Sequence, residues 1–215
     1  MSLAVLEASE HPFRHWICEA EPMLQGRMLN AGRLTPAESW TGWVRYDNDL
    51  EAHKRTARAE LPQACATVLE MLTGPFMSER LRQITGIENL MADKTMHGAG
   101  IHVTDPGGYL QPHLDYSLHE CGLERRINLI AFLTRGWLER WGGAFQLCDP
   151  LGNPLKVVFP KAGRIVLWES SDLAYHGTAM VADDAPPRIT AAVYYLASPR
   201  PGCTRRRALF IPKRP

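Results

Sequence analysis

The chain changes its hydrophobic rhythm once, near residue 92. Before it, from about His53 to Thr73, the apolar residues Leu61, Ala64, Cys65, Val68 and Leu72 recur at i, i+3, i+4, i+7 and i+11, the spacing of one buried stripe on a helix. Gly74-Pro75 ends that stripe. A shorter helix is predicted over Met77 to Thr85, with Leu81 and Ile84 inward and Gly86 as a left-handed terminator. After Ala92, short runs rich in β-branched and aromatic residues are separated by turn signals at Pro106-Gly107-Gly108, Gly142-Gly143, Asp149 to Pro154, Pro160 to Gly163 and Asp183 to Pro187. The runs predict strands at roughly 99–104, 109–115, 126–133, 144–148, 155–159, 164–168, 176–181 and 188–196. Strands at this spacing indicate a sandwich or barrel. Residues 1–50 scatter Trp16, Trp40 and Trp43 among Gly and Pro and fit a cap or edge strands.

No repeat of fixed period and no second compositional block interrupts the pattern. One α+β, mainly β domain over 1–215 is therefore expected: a cap at about 1–50, supporting helices at 53–86, a β core at 95–197 and a basic tail at 198–215. With 215 residues and 45% apolar content the chain can bury a sizeable core. Its net charge of +1 makes no case for nucleic acid or an anionic membrane. The five cysteines are odd in number and lack a CxxC pair, which argues against a disulfide framework and a zinc knuckle. They read as reduced thiols of a cytoplasmic protein. The first residues lack a basic signal-like region, and no apolar run reaches membrane-spanning length. The tail carries Arg200, Arg205, Arg206, Arg207, Lys213 and Arg214 without an acid, the composition of a polyanion contact or of a solvated arm.

Chemistry concentrates in Gly107-Gly108-Tyr109-Leu110-Gln111-Pro112-His113-Leu114-Asp115-Tyr116. In a strand, residues two apart face the same side with attachment points about 6 to 7 Å apart, so His113 and Asp115 can grip one metal ion. A facial triad of two histidines and one carboxylate needs a further histidine. His176, which follows the apolar run Arg164 to Glu169, is the best candidate.

Taken in order, His113-Leu114-Asp115, Arg125-Arg126-Ile127-Asn128-Leu129, Trp141-Gly142-Gly143-Ala144-Phe145-Gln146-Leu147, Pro160 to Trp168, His176-Gly177 and Arg188-Ile189-Thr190 resemble the Fe(II)- and 2-oxoglutarate-dependent dioxygenases. The likeness is closest to their prolyl-4-hydroxylase-like branch, in which N-terminal helices support a double-stranded β-helix, or jelly roll. It covers roughly residues 60 to 197. The resemblance implies His113, Asp115 and His176 as iron ligands. It implies Arg188 as the partner of the 2-oxoglutarate distal carboxylate, a role suited to a planar guanidinium fork. Thr190, on the same strand face, can add a hydroxyl, and Asn128 and His102 are placed beside the cosubstrate. Tyr116, Ser117, Arg126 and Trp168 are implied for the substrate pocket, although a core role for Tyr116 and a structural one for His97 and His102 fit as well. Two positions depart from the family pattern. His102, Val103 and Thr104 stand near where relatives offer a tyrosine, and Phe132, without a hydroxyl, takes a second tyrosine position.

The implied cofactor is Fe(II), with 2-oxoglutarate and O2 as cosubstrates and ascorbate as a supporting reductant. The implied reaction is hydroxylation of an unactivated C–H bond in a small molecule or peptidyl residue, with succinate and CO2 as coproducts. The competing class is a non-redox cupin-like isomerase or metal-binding protein, which Arg188 and Thr190 disfavour.

Overall fold

The structure, a computed structural model, describes residues 3–211. Lys213 and Arg214 of the basic tail, and the first two residues, lie outside the described residues. In chain order the elements are β1 (Leu3–Ser9), β2 (His15–Ala20), α1 (Pro22–Arg33), β3 (Val44–Tyr46), β4 (Glu51–Ala57), α2 (Gln63–Thr73), α3 (Pro75–Thr85) and β5 (Met91–Ala92). There follow β6 (Gly100–Leu114), β7 (Glu124–Phe132), β8 (Phe145–Cys148), β9 (Pro154–Val158), β10 (Arg164–Glu169), β11 (His176–Thr178), β12 (Arg188–Ala197) and β13 (Leu209–Phe210).

The strands hydrogen-bond in the order β1-β2-β10-β7-β12-β6-β11-β8-β9 and curl into a double-stranded β-helix. β6 makes the curl. Its first half pairs with β12 from Gly100 to Thr104, and its second half pairs with β11 from Leu110 to His113. The bend between them falls at Gly107, whose φ of +76° suits a residue without a side chain. The expected strands 99–104 and 109–115 are thus one strand that crosses from one sheet to the facing one.

Strand alternation then sorts side chains between two cores. On β10, Ile165 and Leu167 face the helices, while Val166 and Trp168 face the interior of the curl. On β7, Ile127, Leu129 and Ala131 face the helices, and Phe132 faces the interior. Because both faces are covered, these strands read as nearly unbroken apolar runs. Each fully buried Leu or Ile contributes about 1.5–3 kcal/mol.

The helices supply the outer cover. Leu24, Met28 and Ala31 of α1, Val68 and Leu72 of α2, and Met77 and Leu81 of α3 are buried against the sheet. Pro22 and Pro75 sit in the first turns of α1 and α3, where a missing N–H costs nothing. Gly86 ends α3 at φ 70°, its N–H donating to the Arg82 carbonyl at 2.8 Å. The hydroxyl of Tyr195 on β12 donates to the Leu72 carbonyl and ties the sheet to α2.

Three expectations are corrected. The predicted helix from His53 begins only at Gln63. Residues 51–57 form an edge strand instead, with Arg55 buried and ion-paired to Asp105. Residues 1–50, expected as a cap or edge strands, hold three strands of the main sheet, β1, β2 and β3, and a twelve-residue helix, α1, that the sequence reading did not place. The tail is not a solvated arm over its described part: β13 pairs with β6, Leu209 opposite Leu114 and Phe210 opposite His113. Among the described residues no helix is long and apolar enough to cross a membrane.

Candidate metal and cosubstrate site

β11 brings the second histidine to the first. His176 pairs directly with His113 across β6 and β11, and the two ring centroids are 4.4 Å apart. Asp115, just beyond β6, lies between them: its Oδ1 is 3.6 Å from His113 Nε2 and its Oδ2 3.4 Å from His176 Nε2. One ligating atom from each of the three lies within 4.8 Å of the others. Both histidines donate Nδ1–H to a backbone carbonyl at 2.9 Å, His113 to Gln111 and His176 to Ala174. That bond fixes the tautomer and leaves each Nε2 lone pair turned toward Asp115.

Protonation states suit a cation. Burial pushes the Asp115 carboxyl up, but Arg125, His176 and His113 outweigh it and hold the group well below the usual carboxylate range. Burial pushes the His176 imidazole down to about 3. A charged carboxylate and a neutral imidazole are the forms that bind metal. His176 rests on Trp168, centroids 4.6 Å apart, and Phe210 stacks on His113 at 4.8 Å.

Gly177 permits this approach. A Cβ there would lie 2.7 Å from the Leu110 carbonyl oxygen and 3.1 Å from Pro112 N. Gly177→Ala is therefore expected to push β11 away from β6, costing about 1–3 kcal/mol in urea unfolding. Metal titration of the same variant should show weaker binding, because His176 is the neighbouring residue.

Arg188 begins β12 within the curl. It is 3% exposed, its Nε donates to the Gly143 carbonyl at 2.7 Å, and its buried Nη2 has no partner. No carboxylate pairs with it among the described residues, and burial alone pushes its pKa down to about 10. An unpaired buried cation is costly. An anionic ligand removes that cost, and a 2-oxoglutarate carboxylate fits this donor. The guanidinium carbon sits 5.2 Å from the Phe132 ring centroid, so Phe132 meets it through its π face. Thr190 is buried, with His102 opposite it on β6 and Phe132 opposite it on β7. His102 Nε2 is buried without a partner, and burial, then Lys54 and Arg188, lower its pKa.

Residues 99–196 match the family model of the 2OG-Fe(II) oxygenase superfamily, a span that holds all three candidate ligands and Arg188. Over this span the chain is similar to that superfamily. Proteins of the superfamily use Fe(II), 2-oxoglutarate and O2, and the His-Asp-His cluster of this chain could hold such a metal. Among solved structures the chain is similar to a prolyl-4-hydroxylase from Pseudomonas putida, with 14% identity, a TM-score of 0.60 and coverage of 86% of this chain and 92% of the other. A prolyl hydroxylase from Trichoplax adhaerens, in complex with a hypoxia inducible factor oxygen degradation domain peptide fragment, gives 14% identity, a TM-score of 0.58 and coverage of 85% and 83%. HygX from Streptomyces hygroscopicus, with nickel, 2-oxoglutarate and hygromycin B bound, gives 10%, 0.51, 85% and 82%. These likenesses are of fold. No curated protein sequence matches the chain.

Other expected site residues are placed differently. Arg126 pairs with Glu169 at 2.7 Å, and it is Arg125 that enters the site, its Nη2 3.1 Å from Asp115 Oδ2. The cause is a bulge in the β7–β12 pairing: Tyr195 faces Ile127 but Leu196 faces Arg125, so Arg126 is skipped. Asn128 is buried, yet its Oδ1 accepts from Arg125 Nε and its Nδ2 donates to Ser170 Oγ at 3.0 Å. It holds Arg125 rather than standing free for a cosubstrate. The Ser117 hydroxyl, expected in the substrate pocket, donates to the Thr204 carbonyl at 2.6 Å and accepts from Arg206 N at 2.8 Å. Trp168 lies under His176 in the interior core. Tyr116 remains beside the site, facing Arg125 at 4.8 Å and His97 at 5.5 Å.

Proposed function

We propose that the protein is an Fe(II)- and 2-oxoglutarate-dependent oxygenase that hydroxylates an unactivated C–H bond of a small molecule or peptidyl residue, converting 2-oxoglutarate to succinate and CO2. The observation that carries this reading is a three-ligand cluster and a buried, unpaired Arg188 in one barrel. In it His113, Asp115 and His176 hold Fe(II), and Arg188, with Thr190, binds the distal carboxylate of 2-oxoglutarate. Bound Fe(II) and 2-oxoglutarate supply the activation of dioxygen. The chain's own part is to orient and to exclude water, through Phe132, Phe145 and Trp168 in the interior core. Asp115 bears on the outcome: a carboxylate as the third protein ligand would leave no position for halide, which disfavours halogenation. The fold serves both substrate kinds among its relatives, a peptide fragment in one and hygromycin B in another. Five free cysteines fit a reducing, cytoplasmic setting.

The test is product mass under oxygen-18 gas, once a screen finds an accepted substrate. One labelled atom in the product and one in succinate are expected, and Asp115→Gly should lose that product. Desaturated or isomerised product without label, with succinate still formed, would defeat hydroxylation and keep the superfamily.

A further inference from the structure

Beyond Asp115 the chain forms one wall of a cleft of about 480 Å³, and the segment Arg205–Ala208 forms the facing wall. This size suits a small molecule, for which sites of about 300–1,000 Å³ are usual. Tyr116, which follows the candidate ligand Asp115 in the chain and faces Arg125 at 4.8 Å, lines the cleft with His97 and His119. Arg125 in turn reaches Asp115 at 3.1 Å, so Tyr116 links the cleft to the metal cluster through one side chain.

Its facing wall is held in place. Ser117 N donates to the Arg206 carbonyl at 3.1 Å, and Ile211 N donates to the Pro112 carbonyl at 2.9 Å. The Arg206 guanidinium donates to the Asp115 backbone carbonyl and pairs with Asp172 at 3.4 Å, so Arg206 serves as an anchor. Arg205 and Arg207 flank it, line the cleft and have no side-chain hydrogen bond or ion pair among the described residues. Glu120 is the single carboxylate among the lining residues. Guanidinium forks carried on an anchored backbone in a concave wall can bind carboxylate or phosphate bidentately and draw anions inward.

We infer that this cleft binds the primary substrate, and that the substrate is a small anion whose carboxylate or phosphate is held by Arg205 and Arg207. The inference rests on the oxygenase reading for the position of the reacting centre. Arg205 and Arg207 are specificity-determining residues in it.

The experiment is an amide chemical-shift titration of nitrogen-15-labelled protein loaded with Zn(II) and 2-oxoglutarate, so that Arg188 is already filled. The probes are O-phospho-L-serine against L-serine and L-aspartate against L-asparagine. At least one anion should perturb the amides of residues 116–120 and 205–208 and bind about tenfold or more tightly than its neutral counterpart. Added salt should weaken it, and Arg205→Gln with Arg207→Gln should remove that preference. A tighter phosphoserine assigns phosphate, and a tighter aspartate assigns carboxylate. Neutral probes binding as well as the anions, an unchanged double variant, or no shift at these amides at millimolar probe would overturn the inference. Succinate formation by the wild-type Fe(II) protein, measured in parallel, reports on the oxygenase reading alone.

Discussion

His176→Ala is expected to abolish stoichiometric Fe(II) binding and succinate formation while the protein stays folded. The imidazole stands on β11 opposite His113, with its Nδ1 committed to the Ala174 carbonyl and its Nε2 3.4 Å from Asp115. Loss of an outer-shell partner alone costs roughly 10–100-fold in metal affinity, and loss of a ligand costs more. His113→Ala should behave alike. The side chain is also buried, between Trp168 and Phe145, so a stability loss of about 1–3 kcal/mol accompanies the change. Calorimetric Fe(II) titration under argon, with urea unfolding of the same variants, separates the two effects. A histidine that only packs the core would lower stability and leave metal affinity and oxygen consumption at wild-type levels.

Arg188→Met is expected to weaken 2-oxoglutarate by about 2–4 kcal/mol, with little effect on Fe(II). The unliganded protein should not lose comparable stability. Burial is the one cause of the lowered arginine pKa, and methionine removes that buried charge at the loss of a single hydrogen bond to Gly143. Lysine should restore only part of the affinity, because it lacks the fork. Titration of 2-oxoglutarate into the metal-loaded variants measures this. Arg164 and Arg126 do not offer a substitute anchor, because Arg164 is paired with Glu19 and Arg126 with Glu169. Unchanged affinity in the methionine variant would therefore contradict the assignment.

What could be read without coordinates follows from how local each signal is. His113 and Asp115 announce themselves by two-residue spacing in a strand, and glycine punctuation locates most of the later strands. The Arg125 side chain was not legible. Strand alternation points to Arg126, and the bulge that exchanges them depends on pairing with Leu196, seventy-one residues away. Glu51–Ala57 reads as the start of a helix because the apolar stripe begins at Leu61, yet its burial comes from pairing with β4's partner β6. α1 does show Leu24, Met28 and Ala31 at helical spacing behind Pro22, a signal legible in the sequence. A two-residue strand such as Leu209–Phe210 has no periodicity, so its place against His113 arises only from tertiary contact.

The most direct measurement is succinate formed from 2-oxoglutarate by the purified protein, with Fe(II), 2-oxoglutarate and O2 each omitted in turn. The account predicts succinate, with matching CO2 release, only when all three are present, and none from His176→Ala. Metal binding without succinate under the complete conditions, across the substrate screen, would contradict it.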